Sequence, residues 1–193
     1  MNNFLAGSSC YLVGPVENDE KFGKDWREQV QPLLENIKVK VYNPLARPFW
    51  FKPFEKFIPP SANRSDVLKS ISNGDIVSND YIIAQSLVRK VCLRYVSTCD
   101  FVFAYISSSK TYGTTEELCL AASLNKPIIA VTPSDYPSLW IYDIVKDHYR
   151  FNDLDSAFKF IQGIDDGSQH VDSLKWIFLG DNYEHQSLRV SGL

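Results

Sequence analysis

Two short segments constrain the fold more than anything else in the chain. "DFVFAYI" (100–106) and "KPIIAV" (126–131) are apolar at consecutive positions, so a strand made from either must be covered on both faces. Between them lies "TYGTTEELCLAASLN" (111–125), whose apolar residues follow helical spacing. "SCYLVGP" (9–15) reads as another buried strand, stopped by Gly-Pro, and "KVKVYNP" (38–44) as a second one, closed by Asn-Pro. "HYRF" (148–151) makes a short fifth.

Helical patterns separate these runs. From Phe22 to Ile37 the residues Trp26, Val30, Leu33, Leu34 and Ile37 share a face, with Asp25, Arg27, Glu28 and Glu35 on the others; Pro32 should bend that helix or delay its start. Ile83, Leu87, Val91 and Tyr95 repeat every four residues in "YIIAQSLVRKVCLRYV" (81–96). "SLWIYDIVK" and "LDSAFKFIQGI" complete the set. Buried strands alternating with helices predict a doubly wound α/β domain of the flavodoxin or Rossmann kind, with about five parallel strands and helices on both faces.

At 193 residues the chain buries one sizeable core, so a single domain over 1–193 is expected, with its core at 9–165 and a tail at 166–193. A net charge of -3 supplies no electrostatic attraction to a nucleic-acid backbone or an anionic membrane. No run approaches the length of a membrane span, and "MNNFLAGSSCYLVGP" lacks a basic segment ahead of its apolar one, so the cytoplasm is the expected location. Cys10, Cys92, Cys99 and Cys119 match no zinc spacing and read as reduced, buried thiols.

Doubly wound sheets bind ligands beyond the carboxyl ends of their strands. That directs attention to "GPVENDEKFGKD" (14–25) and "SSSKTYGTTEE" (107–117). In the second loop Thr114-x-x-Glu117 is a capping box, which by itself accounts for the spacing. The same helix start lies where a substrate is expected, and its dipole would favour an ionised carboxylate, so Glu117 also reads as a nucleophile. Glu116 points about 100° away and is expected in solvent. "RPFWFKPFEKFIPP" (47–60) crowds five aromatic rings between prolines; it is expected to be no regular helix and to act as a core cover, a lid in which Trp50 meets an aromatic ligand, or a subunit contact.

"YLVGP", "CDFVFAYI" and above all "GTTEELCLAASLNKPI" resemble the nucleoside 2-deoxyribosyltransferase family, including its phage-borne members and its nucleotide N-glycosidase relatives. The resemblance spans about residues 9–165 and continues through "WREQV", "VYNP" and "FNDLDSAFKFIQGIDDG". It implies cleavage of an N-glycosidic bond of a 2′-deoxynucleoside by transfer or hydrolysis. Glu117 then attacks the anomeric carbon, Tyr11 orients Glu117, and Gly14, Pro15, Val16, Cys92, Gly113 and Thr114 surround the substrate. It further implies no metal or organic cofactor, a nucleoside or nucleotide and a free nucleobase as partners, and a homo-oligomer joined through the aromatic loop or the tail "WIFLGDNYEHQSLRV".

The "VENDE" loop brings no cation before Lys21, which favours free nucleosides over monophosphates. Two positions depart from the family pattern. Where an acidic residue is expected eight before Asp100 the chain has Cys92, and six before Glu117 it has Thr111. A thiol is a poorer proton donor than a buried carboxylic acid, and Asp80 is the nearest replacement. Asp100 itself reads as structural, satisfying backbone N–H groups. Two alternatives stand: a phosphoribohydrolase resembling the lonely-guy family, from which the Lys110-Thr111-Tyr112 run departs, and a catalytically silent nucleoside or nucleotide binder.

Overall fold

The structure is a computed structural model; it describes residues 3–16, 23–46, 48, 51–55, 73, 79–106, 111–132 and 139–180. Five strands form one parallel sheet: β1 (Ser9–Val13), β2 (Lys40–Tyr42), β3 (Phe101–Tyr105), β4 (Ile128–Val131) and β5 (Arg150–Phe151). Their order is β2-β1-β3-β4-β5, the doubly wound arrangement in which the winding reverses between β1 and β3. β1 is buried at all five positions and β4 at all four, as strands covered on both faces must be.

The helices are α1 (Lys24–Asn36), α2 (Lys52–Glu55), α3 (Asn79–Thr98), α4 (Tyr112–Ser123), α5 (Leu139–Ile144) and α6 (Leu154–Asp166). Alternate β3 side chains fill one layer: Phe101 stacks on Phe178, Phe103 on Phe158 of α6 and on Trp26 of α1, and Tyr105 on Trp26. The opposite layer holds α3 and α4. Tyr11 of β1 points there, its ring 5.8 Å from that of Tyr95, which in turn stacks on Tyr42 at 4.9 Å. Among the described residues no helix is long and apolar enough to cross a membrane.

Several expectations are corrected. α1 starts at Lys24 and runs through Pro32, which lies on its exposed face; a proline there removes one N–H and leaves the buried side intact. Arg27, expected on a solvent face, is completely buried. On α3 the inward stripe is shifted toward the following residues: Ile83 is 49% exposed, Ala84 and Val96 are buried, and Cys92 packs against the core beside the predicted Tyr95. Cys119, expected to be buried, is exposed, whereas Phe51 is buried ahead of the single turn α2, in keeping with a core cover. The core also extends past 9–165, to Leu5 at one end and to Val171, Trp176 and Leu179 at the other.

Helix-to-strand exits follow a common geometry. At the end of α4 Asn125 adopts φ 53°, Asn125 N–H bonds to Ala122 O at 3.0 Å and Lys126 N–H to Ala121 O at 3.0 Å. This left-handed cap satisfies the last carbonyls, and Pro127 then prevents further helix. α1 ends the same way with Lys38 at φ 64°. Asp100 has the structural role expected of it, accepting from Ser9 N–H and Ser9 Oγ at 2.7 Å each and so joining the starts of β1 and β3.

Candidate active site

A cleft of about 610 Å³ opens at the carboxyl ends of β1, β2 and β3. Its volume suits a small organic ligand. One wall is the turn after β1, with Gly14 and Val16, and the exit of β2 adds Pro44 and Leu45. α3 contributes Gln85, Ser86, Val88, Arg89, Cys92 and Leu93. The start of α4 closes it with Thr111, Tyr112, Gly113, Thr114, Glu116 and Glu117.

The first turn of α4 is capped by Thr111, whose Oγ1 accepts from Thr114 N–H at 3.4 Å and lies 2.6 Å from Thr114 Oγ1. Thr114 is therefore a first-turn residue and not the cap. This correction moves Glu117 into the second turn, out of reach of the cap backbone and beyond the strongest part of the helix dipole. Its side chain turns inward instead. Only 9% exposed, Glu117 accepts a 2.7 Å hydrogen bond at Oε1 from the fully buried Tyr11 hydroxyl, and the Cys92 thiol also hydrogen-bonds it.

Burial pushes the Glu117 carboxyl up to about 7; the Tyr11 hydrogen bond, the charge of Arg27 and the Cys92 hydrogen bond pull it back down. The dipole-stabilised, fully ionised carboxylate expected from the helix start is thus replaced by one that titrates near neutrality. Burial and the neighbouring Glu117 charge hold the Cys92 thiol at about 12, and they raise the Tyr11 phenol well above its ordinary value. Both groups stay protonated and serve as donors. Glu116 behaves differently, pairing with Arg89, whose Nε donates to Oε2 at 2.8 Å. That pair sits at the cleft mouth and holds the Glu116 carboxyl below its usual range.

The turn beneath the cleft is tightly fitted. A Cβ on Gly14 would lie 2.7 Å from Tyr105 O and 2.8 Å from the Trp26 ring, so only glycine lets the chain pass there. Pro15 is buried behind this wall and Tyr11 behind Glu117, while Val16, Cys92, Gly113 and Thr114 line the cleft itself. Trp50, the acidic residues at 17–20 and the side chain of Asp80 lie outside the described residues. The sequence gives little sign of the role of Arg27, because a charged residue on an amphipathic helix ordinarily faces water; the glycine four residues earlier is the available signal. Among the described residues no group of three or more His, Cys, Asp or Glu side chains is placed to hold a metal ion.

No family model and no curated protein matches the sequence. The structure is similar to that of a 2-deoxyribosyltransferase from the psychrotolerant bacterium Bacillus psychrosaccharolyticus, with a TM-score of 0.54 and 19% identity over 79% of this chain and 92% of that one. At that identity the likeness establishes a shared fold.

Proposed function

We propose that the protein cleaves the N-glycosidic bond of 2′-deoxynucleosides through a covalent ester on Glu117, passing the deoxyribosyl group to a second base or to water. The observation that carries this reading is the 2.7 Å bond from Tyr11 to a carboxylate buried at the topological switch point. A capping glutamate would face its own backbone, and a solvated one would not need a phenol. The fold shared with a solved 2-deoxyribosyltransferase supports the same choice.

The chemistry follows from the groups present. With Oε1 held by Tyr11, the carboxylate is oriented for an oxygen to attack C1′. As the C1′–O bond forms, the C1′–N bond breaks and its electron pair leaves on the base, which takes a proton from solvent. The ionised carboxylate stabilises the positive charge that develops on the sugar. In the second half a ring nitrogen of another base, or water, attacks C1′ and releases the carboxylate, and two inversions give net retention. Cys92, held as a thiol at about 12, is a much weaker acid than the carboxylic acid expected at this position, so it gives the leaving base little help with protonation. The nucleophile must be ionised, so kcat/KM rises as pH increases through about 7.

The test is incubation with deoxyadenosine and free cytosine, followed by chromatography. Deoxycytidine signals transfer, and adenine with free deoxyribose signals hydrolysis. Glu117→Gln should abolish both, whereas Glu116→Gln should retain them. Binding of deoxyadenosine with no product from the wild-type protein would instead establish the silent binder, and ribose 5-phosphate release from a nucleoside monophosphate alone would establish the phosphoribohydrolase.

A further inference from the structure

We propose that Arg27 is a positioning residue, a buried guanidinium that clamps the turn under the cleft and presents its charge to Glu117. The inference rests on Glu117 being the nucleophile. A fully buried guanidinium is costly unless its N–H groups are used. Both Nη atoms of Arg27 donate to the chain around the site: Nη2 to Gly14 O at 2.9 Å, and Nη1 to Gly23 O at 2.8 Å and to Pro15 O at 3.5 Å. Its guanidinium carbon sits 4.3 Å from the centroid of the Trp26 ring, the ring that also packs against Gly14. One side chain thus ties both ends of the segment that joins β1 to α1.

The local sequence is built around this clamp. Gly23, at φ 61°, brings its carbonyl to Arg27 one turn later; a Cβ there would lie 2.2 Å from Pro15 O and 2.3 Å from Nη1. Carbonyl oxygens solvate a guanidinium without neutralising it, so its charge still acts across the turn. Glu117 is acted on by its hydrogen-bonding partners Tyr11 of β1 and Cys92 of α3 and by the charges of Arg27 on α1 and Glu116 on its own helix. Of these, Arg27 is the permanent cation; it favours the ionised carboxylate and Glu116 opposes it.

The experiment compares the wild type, Arg27→Met and Arg27→Lys. Profiles of kcat/KM against pH are measured with deoxyadenosine, and the Glu117 carboxyl is titrated directly by carbon NMR of glutamate-labelled protein, its signal assigned by its loss in Glu117→Gln. Arg27→Met is expected to move the Glu117 titration and the acidic limb upward together by about one pH unit and to lower kcat about tenfold. Arg27→Lys, which keeps the charge and loses the fork, should restore the limb but not kcat. If Arg27→Met does not fold, Arg27→Lys carries the test through that split.

An unchanged Glu117 titration in Arg27→Met would overturn the inference. So would wild-type kcat in Arg27→Lys. A wild-type protein that turns over no nucleoside would remove the proposed function, while the titration would still report whether Arg27 acts on Glu117.

Discussion

At Glu117 the burial that excludes water from the carboxyl also opposes its ionisation, and the consequence is measurable without any substrate. Its folded-state pKa, about 7, lies above the ordinary value of 4.5. The folded protein therefore binds this proton more tightly than the unfolded chain. The stabilisation is complete below about pH 4.5 and is lost as pH rises through about 7. An amide never ionises, so between pH 5 and pH 8 Glu117→Gln should gain about 2–3 kcal/mol relative to wild type in urea denaturation. Parallel curves for the two proteins would contradict the burial argument. At Cys92 the expectation concerns rate: Cys92→Asp places a carboxylic acid beside Tyr11 and Glu117 and should raise kcat by ten-fold or more, toward the 10²- to 10⁴-fold range typical of general acids. An unchanged or lower kcat would mean that the leaving base is protonated elsewhere.

Among the elements, the turn after β1 and the start of α4 are the parts whose geometry the site needs most. Gly14→Ala would drive a methyl group into Tyr105 O, which belongs to a paired strand and cannot yield, and into the Trp26 ring. Activity should fall at least a hundredfold in the chromatographic assay, because displacing this wall moves the substrate against Glu117. A fully active Gly14→Ala would show that the turn does not touch the sugar. How much of these elements was legible depended on how many readings each stretch allowed. "DFVFAYI" and "KPIIAV" are short, continuously apolar runs that read as buried strands, and they form β3 and β4. Three threonines at 111, 114 and 115 offer more than one cap, and only the fold decides that Thr111 takes the role. In α3 the sets beginning at Ile83 and Ala84 have the same four-residue spacing, and the inward face draws on both: Ala84, Cys92 and Val96 from the second and Tyr95 from the first. Cys92, from the second set, is the member that reaches Glu117. The burial of Arg27 was hard to read for a similar reason, since it depends on carbonyls at the two ends of the segment joining β1 to α1.

Across the whole molecule, the strand order puts the cleft where β1 and β3 diverge, and the chain after α6 returns to support β3 from the opposite layer. Trp176 is 1% exposed, packs its ring 5.5 Å from that of Phe101, and donates its Nε1–H to the Tyr149 hydroxyl at 3.1 Å. That hydroxyl also accepts from Asp172 N–H, which fixes the segment to the same chain. Trp176→Ala should cost about 3–5 kcal/mol. The loss in Tm should not depend on protein concentration, because the tryptophan is packed within its own chain; a concentration-dependent loss would place it at a subunit contact. Trp176, Phe178 and Leu179, in the tail expected at a subunit contact, pack instead against their own chain's core; residues 181–190 lie outside the described residues.

The most direct measurement on the central proposal is peptide mass spectrometry of protein mixed with a 2′-deoxynucleoside and quenched in acid during turnover. The account predicts a deoxyribosyl ester on the peptide carrying Glu117, present in wild type and absent in Glu117→Gln. Turnover with no ester on that peptide, or an ester on Glu116 instead, would contradict it.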